Sequence, residues 1–152
     1  MDKRFNIRIY GLVEQDGKIL LTDEFRLGRY MTKFPGGGLE FGEGPVDCLK
    51  RECLEELGQE IEVTGHFYTT DFYQPSLYLP DEYQMISIYY TARFVGKQLF
   101  AVSGKVNDFP PVDGAQAFRW VPVKDLHPDM FTLPIDKKVA IMLQKDELPD
   151  IK

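Results

Sequence analysis

The chain has 152 residues, of which 43% are apolar and 28% charged, with a formal net charge of −6; this is the composition of a soluble globular protein of single-domain size. The acidic balance excludes the broad cationic footprint by which proteins hold duplex nucleic acid, so an anionic partner has to be offset locally. Eleven Phe, eight Tyr and one Trp supply enough apolar bulk for a core without a disulfide or a structural metal.

The opening stretch, MDKRFNIRIYGL, follows its charges with no long apolar run. It does not have the pattern of a signal peptide, and no stretch is long enough to cross a membrane as a helix. Asn6 to Val13 reads as a strand, Asp16-Gly17 as a tight turn, and Lys18 to Thr22 as the returning strand of a hairpin. Arg26 to Phe34 leads into Pro35 and three glycines. Helical periodicity begins near Pro45, which suits a first turn, and ends at Gly58, which suits a left-handed cap. Ile61 to Phe72 reads as a strand, and Tyr73 to Gln84, with Pro75 and Pro80, as a loop. Met85 to Val95 is a further strand, Gly96 to Ala115 a loop, and Ala117 to Val121 a short strand around Trp120. Val123 to His127 suits a helical turn. Pro134 to Gln144 repeats apolar residues at Ile135, Val139, Met142 and Leu143, which is helical spacing. The chain shows no repeats and no linker. The expectation is one α/β domain, a mixed sheet packed between helices.

The helix from Pro45 to Gly58 carries its charge at the unfavourable end. Val46, Leu49, Cys53 and Leu57 form an apolar stripe expected to face the sheet. Glu52, Glu55 and Glu56 step by three and four along the neighbouring face. Each acid near a helix C-terminus costs roughly 0.3–1 kcal/mol, and like charges at this spacing add several tenths more. Lys50 and Arg51 relieve part of it. Two explanations compete: an ordinary solvated acidic face, or a site for a hard divalent cation such as Mg²⁺ or Mn²⁺, which takes clustered carboxylate oxygens. The glycines ahead of the helix favour the second, because they let a loop run close to a ligand. Neither a P-loop nor a dinucleotide fingerprint is present. Cys48 and Cys53, the two cysteines, lie five residues apart on one helix and point in different directions, so they read as reduced thiols of a cytosolic protein.

The stretch GGGLEFGEGPVDCLKRECLEELG resembles a Nudix box: a Gly, five residues, a Glu, seven residues, then Arg-Glu, an aliphatic residue, any residue, Glu-Glu, any residue, Gly and an aliphatic residue. Gly37 and Glu43 open the pattern, Arg51-Glu52 and Glu55-Glu56 follow at the right distance, and Gly58 closes it. Cys53 and Gln59 depart from two aliphatic positions, which bears on helix seating rather than on metal chemistry.

The resemblance implies an α/β/α sandwich that hydrolyses a nucleoside diphosphate linked to another moiety, with Mg²⁺ or Mn²⁺ as cofactor. It implies Glu52, Glu55 and Glu56 as metal ligands, with Glu52 or Glu56 receiving the proton of the attacking water. Glu43 is placed beside the site, where it pairs with Arg51 or adds to the metal shell; Arg51 orients a carboxylate, and Gly37 and Gly38 are placed as the loop residues that run close to the substrate. Arg26, Arg29 and Lys33 are candidates for phosphate contacts, Phe72 and Tyr73 for stacking on a base. Some relatives take an acid for catalysis from the loop before the strand with Trp120; Asp113 is the nearest acid there and the candidate for a substrate contact, its other reading being a turn residue before Gly114, and Gln116 stands where related sequences often have Glu. A homodimer is expected from the resemblance alone. The alternative is a Nudix-like domain that senses a nucleotide without cleaving it, against which the intact Glu52, Glu55 and Glu56 set argues. Two histidines, His66 and His127, form no zinc spacing, and no nucleophile elbow occurs.

Overall fold

A computed structural model describes residues 3–77 and 82–147. The chain forms two compact units. One contains the residues up to Val13 with Pro35–Phe100; the other contains Glu14–Phe34 with the residues from Ala101 onward. Seven strands and two α-helices occur among the described residues.

In the first unit, strand β1 (Arg4–Gln15) contributes Arg4–Val13. It pairs antiparallel with β4 (Gly36–Gly38) and parallel with β6 (Tyr83–Phe94), and β6 pairs antiparallel with β5 (Ile61–Thr69). The apolar alternations of β1 and β6 match in register: Ile7, Ile9 and Val13 stand beside Ile86, Ile88 and Ala92. Because side chains alternate along a strand, these residues share one face. Gly11 lies on that face, and a Cβ there would stand 3.2 Å from the Leu49 side chain. This places helix α1 (Pro45–Leu57) on the same face.

The buried residues of α1 are Cys48, Leu49, Cys53 and Leu57. Val46, expected in the stripe, is exposed. Its angular position matches the stripe, but it lies in the first turn, two residues from the N-cap Gly44. Cys48 is buried there instead, its thiol 3.5 Å from the Gly38 carbonyl. Gly58 adopts the left-handed cap with φ 63°. Gln59, where the box has an aliphatic residue, is 0% exposed. Its Nε2 donates to the carbonyls of Val95 (3.2 Å) and Lys97 (3.3 Å), and its Oε1 accepts from the Leu99 N–H at 2.8 Å. The helix end is thus tied to the 95–99 segment by hydrogen bonds rather than by apolar packing.

In the second unit, β2 (Lys18–Arg26) pairs antiparallel with the end of β1, with β3 (Arg29–Lys33) and with β7 (Gln116–Pro122). Asp16-Gly17 makes the expected turn, both residues with positive φ. The segment from Arg26 to Phe34 is more ordered than expected, because Leu27 and Gly28 also take positive φ and close a second hairpin. Asp23 and Glu24, neighbours on β2, face opposite ways and each meets a cation. Arg119 Nε lies 2.6 Å from Asp23 Oδ2, and Lys33 Nζ lies 2.9 Å from Glu24 Oε1. Thr32 Oγ1 also donates to Asp23 Oδ1 at 2.6 Å. Helix α2 (Pro134–Glu147) buries Ile135, Val139 and Ala140 and packs on short 3-10 turns at Val123–Asp125 and Pro128–Met130.

Pro80 lies outside the described residues. Pro75 bridges to Gln84, so the expected loop from Tyr73 ends at the start of β6. Among the described residues no helix is long and apolar enough to cross a membrane.

Candidate metal and catalytic site

The site residues of the box come together within the first unit, where the glycine strand β4 meets α1. Gly37 faces the helix. A Cβ on it would stand 2.6 Å from each oxygen of the Glu52 carboxylate, closer than any real side chain permits. Glycine at 37 is therefore required for Glu52 to lie against the strand.

Arg51 organises the acids. Its Nε donates to Glu43 Oε2 at 3.0 Å and its Nη2 to Glu43 Oε1 at 2.7 Å, a fork-to-fork pair. Nη1 reaches Glu52 Oε1 at 3.0 Å and Glu55 Oε2 at 3.2 Å, and Nη2 also donates to the Gly38 carbonyl at 3.2 Å. Glu43 accepts a further bond from the Glu40 N–H at 2.9 Å. The Arg51 hydrogen bonds, aided by that backbone donor, hold the Glu43 carboxyl down to about 2 from its ordinary 4.5. Those same contacts push the Arg51 guanidinium further above its already high value. Burial, with help from neighbouring carboxylates, pushes both the Cys48 and Cys53 thiols up to about 12.

Glu52 is largely shielded, Glu55 is exposed, and Glu56 is half-buried with its Oε2 atom out of contact with solvent. Among the described residues, no three His, Cys, Asp or Glu side chains already converge as a ready-made metal cluster. The Arg51 guanidinium lies against Glu52 and Glu55 instead. The donor chemistry still fits a hard divalent cation: carboxylate oxygens only, with a side-chain-free strand beside them. A cation would have to draw Glu52 and Glu55 off Arg51.

Arg26, Arg29 and Asp113 belong to the second unit and are exposed. Arg26 and Arg29 stand opposite each other at the turn end of the β2–β3 hairpin. The turn holding Asp113 is tied to the same end, since the Gly114 N–H donates to the Phe25 carbonyl and the Phe25 N–H to the Ala115 carbonyl, both at 2.9 Å. Lys33 does not join them as a phosphate contact. It is 3% exposed and committed to Glu24, so the expectation for it is corrected. Phe72 and Tyr73 are exposed.

The NUDIX domain family matches residues 2–141. The chain belongs to that family. Solved structures share its fold, two of them as follows. A NUDIX hydrolase from Nitrosomonas europaea superposes with a TM-score of 0.67 at 19% identity, over 93% of this chain and 88% of that one. A MutT protein from Methanosarcina mazei Go1 has a TM-score of 0.67 at 19% identity, over 96% and 97%. The Nudix-like α/β/α sandwich expected from the sequence is this shared fold. An RNA pyrophosphohydrolase of Sulfurovum sp. (strain NBC37-1) is 50% identical over 36 residues, which span 23% of each chain.

Proposed function

We propose that this chain is a Nudix-type pyrophosphohydrolase, a single catalytic domain that cleaves the diphosphate linkage of a nucleoside diphosphate joined to another moiety. Candidate substrates are ADP-ribose-like compounds, nucleotide sugars and nucleoside triphosphates. The observation that carries the reading is the close seat of Glu52 on Gly37, within a helix end where Glu55 and Glu56 follow at one-turn spacing. Family membership supports it, and the short likeness to an RNA pyrophosphohydrolase adds RNA ends to the substrates worth testing.

Glu52, Glu55 and Glu56 are the residues that would hold Mg²⁺ or Mn²⁺. When bound, the cation supplies charge neutralisation of the phosphate oxygens and a lowered pKa for a coordinated water. The chain's own part is electrostatic and positional. Glu52 or Glu56 takes the proton of the attacking water. Arg51 holds Glu43 by two parallel bonds and so fixes the loop between β4 and α1 relative to the acids. Gly37 and Gly38 keep the strand free of side chains where the phosphates pass. Arg26, Arg29 and Asp113 are proposed as substrate contacts. Two buried free thiols and the acidic surface suit a cytoplasmic protein acting on a small nucleotide substrate.

The deciding experiment is release of phosphate or nucleoside monophosphate from a substrate panel with Mg²⁺ or Mn²⁺, against an EDTA control. Turnover abolished by EDTA supports the reading. Tight nucleotide binding with no turnover of any substrate overturns it in favour of a sensor.

A further inference from the structure

We infer that His66 and Thr69 are the specificity-determining pair for the substrate's base, meeting its hydrogen-bonding edge on the sheet face that also carries Glu52; this rests on the pyrophosphohydrolase reading above. The pair is made by irregularity in β5. Its ladder with β6 slips by one residue between Val63 and Gly65, and again between His66 and Tyr68. Continued from the Val63–Ala92 pair without a slip, the ladder would set Gly65 opposite Tyr90 and Phe67 opposite Ile88, and His66 would face the other way. The two bulges instead set His66 opposite Tyr90 and Thr69 opposite Ile88. Bulges re-aim side chains in this way, and they gather beside active sites. Here they replace a glycine and a phenylalanine on one face by two polar side chains. The imidazole stands edge-on to the Tyr90 ring with centroids 5.9 Å apart, and its Nε2 lies 2.7 Å from Thr69 Oγ1.

The register ties this pair to the acids. Gly37 pairs with Ile9, Ile9 with Ile88, and Ile88 with Thr69. Paired residues share a face, so one row crosses β4, β1, β6 and β5 on the side where Glu52 lies against Gly37. Three strand spacings put Thr69 about 14 Å from Gly37. That span is of the order of the reach from a diphosphate to the outer edge of the base it carries. The floor also fits. Ile9 and Val13 on this face are buried, whereas Ile88 and Tyr90 are only half-buried and offer apolar surface to a flat ring. His66 is exposed, and no hydrogen bond among the described residues engages its Nδ1. An imidazole and a hydroxyl each donate and accept. This suits a base, whose edge presents both kinds of group, rather than a phosphate, which calls for a cation. Because the two side chains are already bonded to each other, they lose little freedom on meeting a ligand.

The test measures binding of ADP, GDP, CDP, UDP and inorganic pyrophosphate with Mg²⁺ by calorimetry, and steady-state kinetics on the best panel substrate. Wild type is compared with His66→Phe, which keeps a ring against Tyr90 without its nitrogens, and Thr69→Val, which keeps the shape without the hydroxyl. Wild type is expected to prefer one base over the others by about tenfold or more. Each variant is expected to weaken that nucleotide by about tenfold and level the preference, with pyrophosphate binding within about twofold of wild type. KM should rise with kcat changed by less than about threefold. The proposal is overturned if the base preference survives both substitutions, if pyrophosphate binding weakens as much as nucleotide binding, or if wild type binds all four nucleotides alike or none of them. A lowered thermal midpoint with the preference intact also overturns it, since the pair then serves the strand alone. If wild type turns over nothing on the panel yet the variants level its base preference, the hydrolase reading fails while the assignment of His66 and Thr69 stands.

Discussion

Gly37 and Glu52 are fitted to each other: the strand residue has no Cβ, and the carboxylate occupies the space a Cβ would need. Gly37→Ala is therefore expected to displace Glu52 and lower kcat/KM by about a hundredfold or more, with Mn²⁺ affinity falling in parallel. Mn²⁺ titration followed by relaxation or calorimetry, with circular dichroism to confirm the fold, checks it. An alanine variant that binds Mn²⁺ and turns over normally removes Glu52 from the metal site.

Glu52→Gln and Glu56→Gln test the same site from the helix. Each keeps the side-chain shape and removes the charge. Turnover is expected to fall by about several hundred-fold with the fold retained. The melting temperature without metal should hold or rise, since an acid is lost from the helix C-terminus. Full activity in both variants excludes these residues from the chemistry.

The Glu43–Arg51 pair sets a pH dependence. Glu43 titrates at about 2 in the folded chain against 4.5 ordinarily, so its contribution to stability is present above 4.5 and lost as pH falls through about 2. Urea unfolding of wild type should show stability dropping across that window. Glu43→Gln should be less stable than wild type at neutral pH, and the gap should close as the pH approaches 2. A gap that stays constant with pH contradicts the assignment.

The thiols give a protection assay. Cys48 and Cys53 are buried, and both titrate at about 12, so neither supplies thiolate at neutral pH. A disulfide reagent at pH 8 should label neither in the native chain and both in denaturant. Rapid labelling of the folded protein shows that α1 opens.

Gln59→Leu restores the aliphatic residue of the box but leaves the Leu99 N–H and the Val95 and Lys97 carbonyls without the partner they have in Gln59. Leaving such groups unsatisfied costs about 1–3 kcal/mol. Equilibrium denaturation should show a loss of that order; an unchanged or raised stability means apolar packing suffices there.

Much of this was legible in advance, and the reasons are local. The α1 boundaries rest on Pro45 and Gly58, whose backbone constraints act within a few residues. The Asp16-Gly17 hairpin is read the same way. The family was legible because the acids and glycines of one loop and one helix carry the pattern. What periodicity could not supply was long-range. β4 is three glycines with no pattern of its own and becomes a strand only because β1 lies beside it. Lys33 looked like a surface cation because its partner, Glu24, sits on another strand. The burial of Val46 was overstated because a helical stripe gives direction and not which of its positions meet a partner.

The consecutive acids of β2 have a consequence for how the second sheet finds its alignment. Asp23 is matched with Arg119 and Thr32 on one side, and Glu24 with Lys33 on the other. Sliding β2 by one residue would turn each carboxylate to the side where the other's cation waits at the wrong height, stranding four ionised groups away from water. Each uncompensated charge would cost several kcal/mol. A shifted pairing that greasy residues alone would tolerate is thereby made prohibitive, and these two ion pairs work as a keying device that admits a single pairing of the strands.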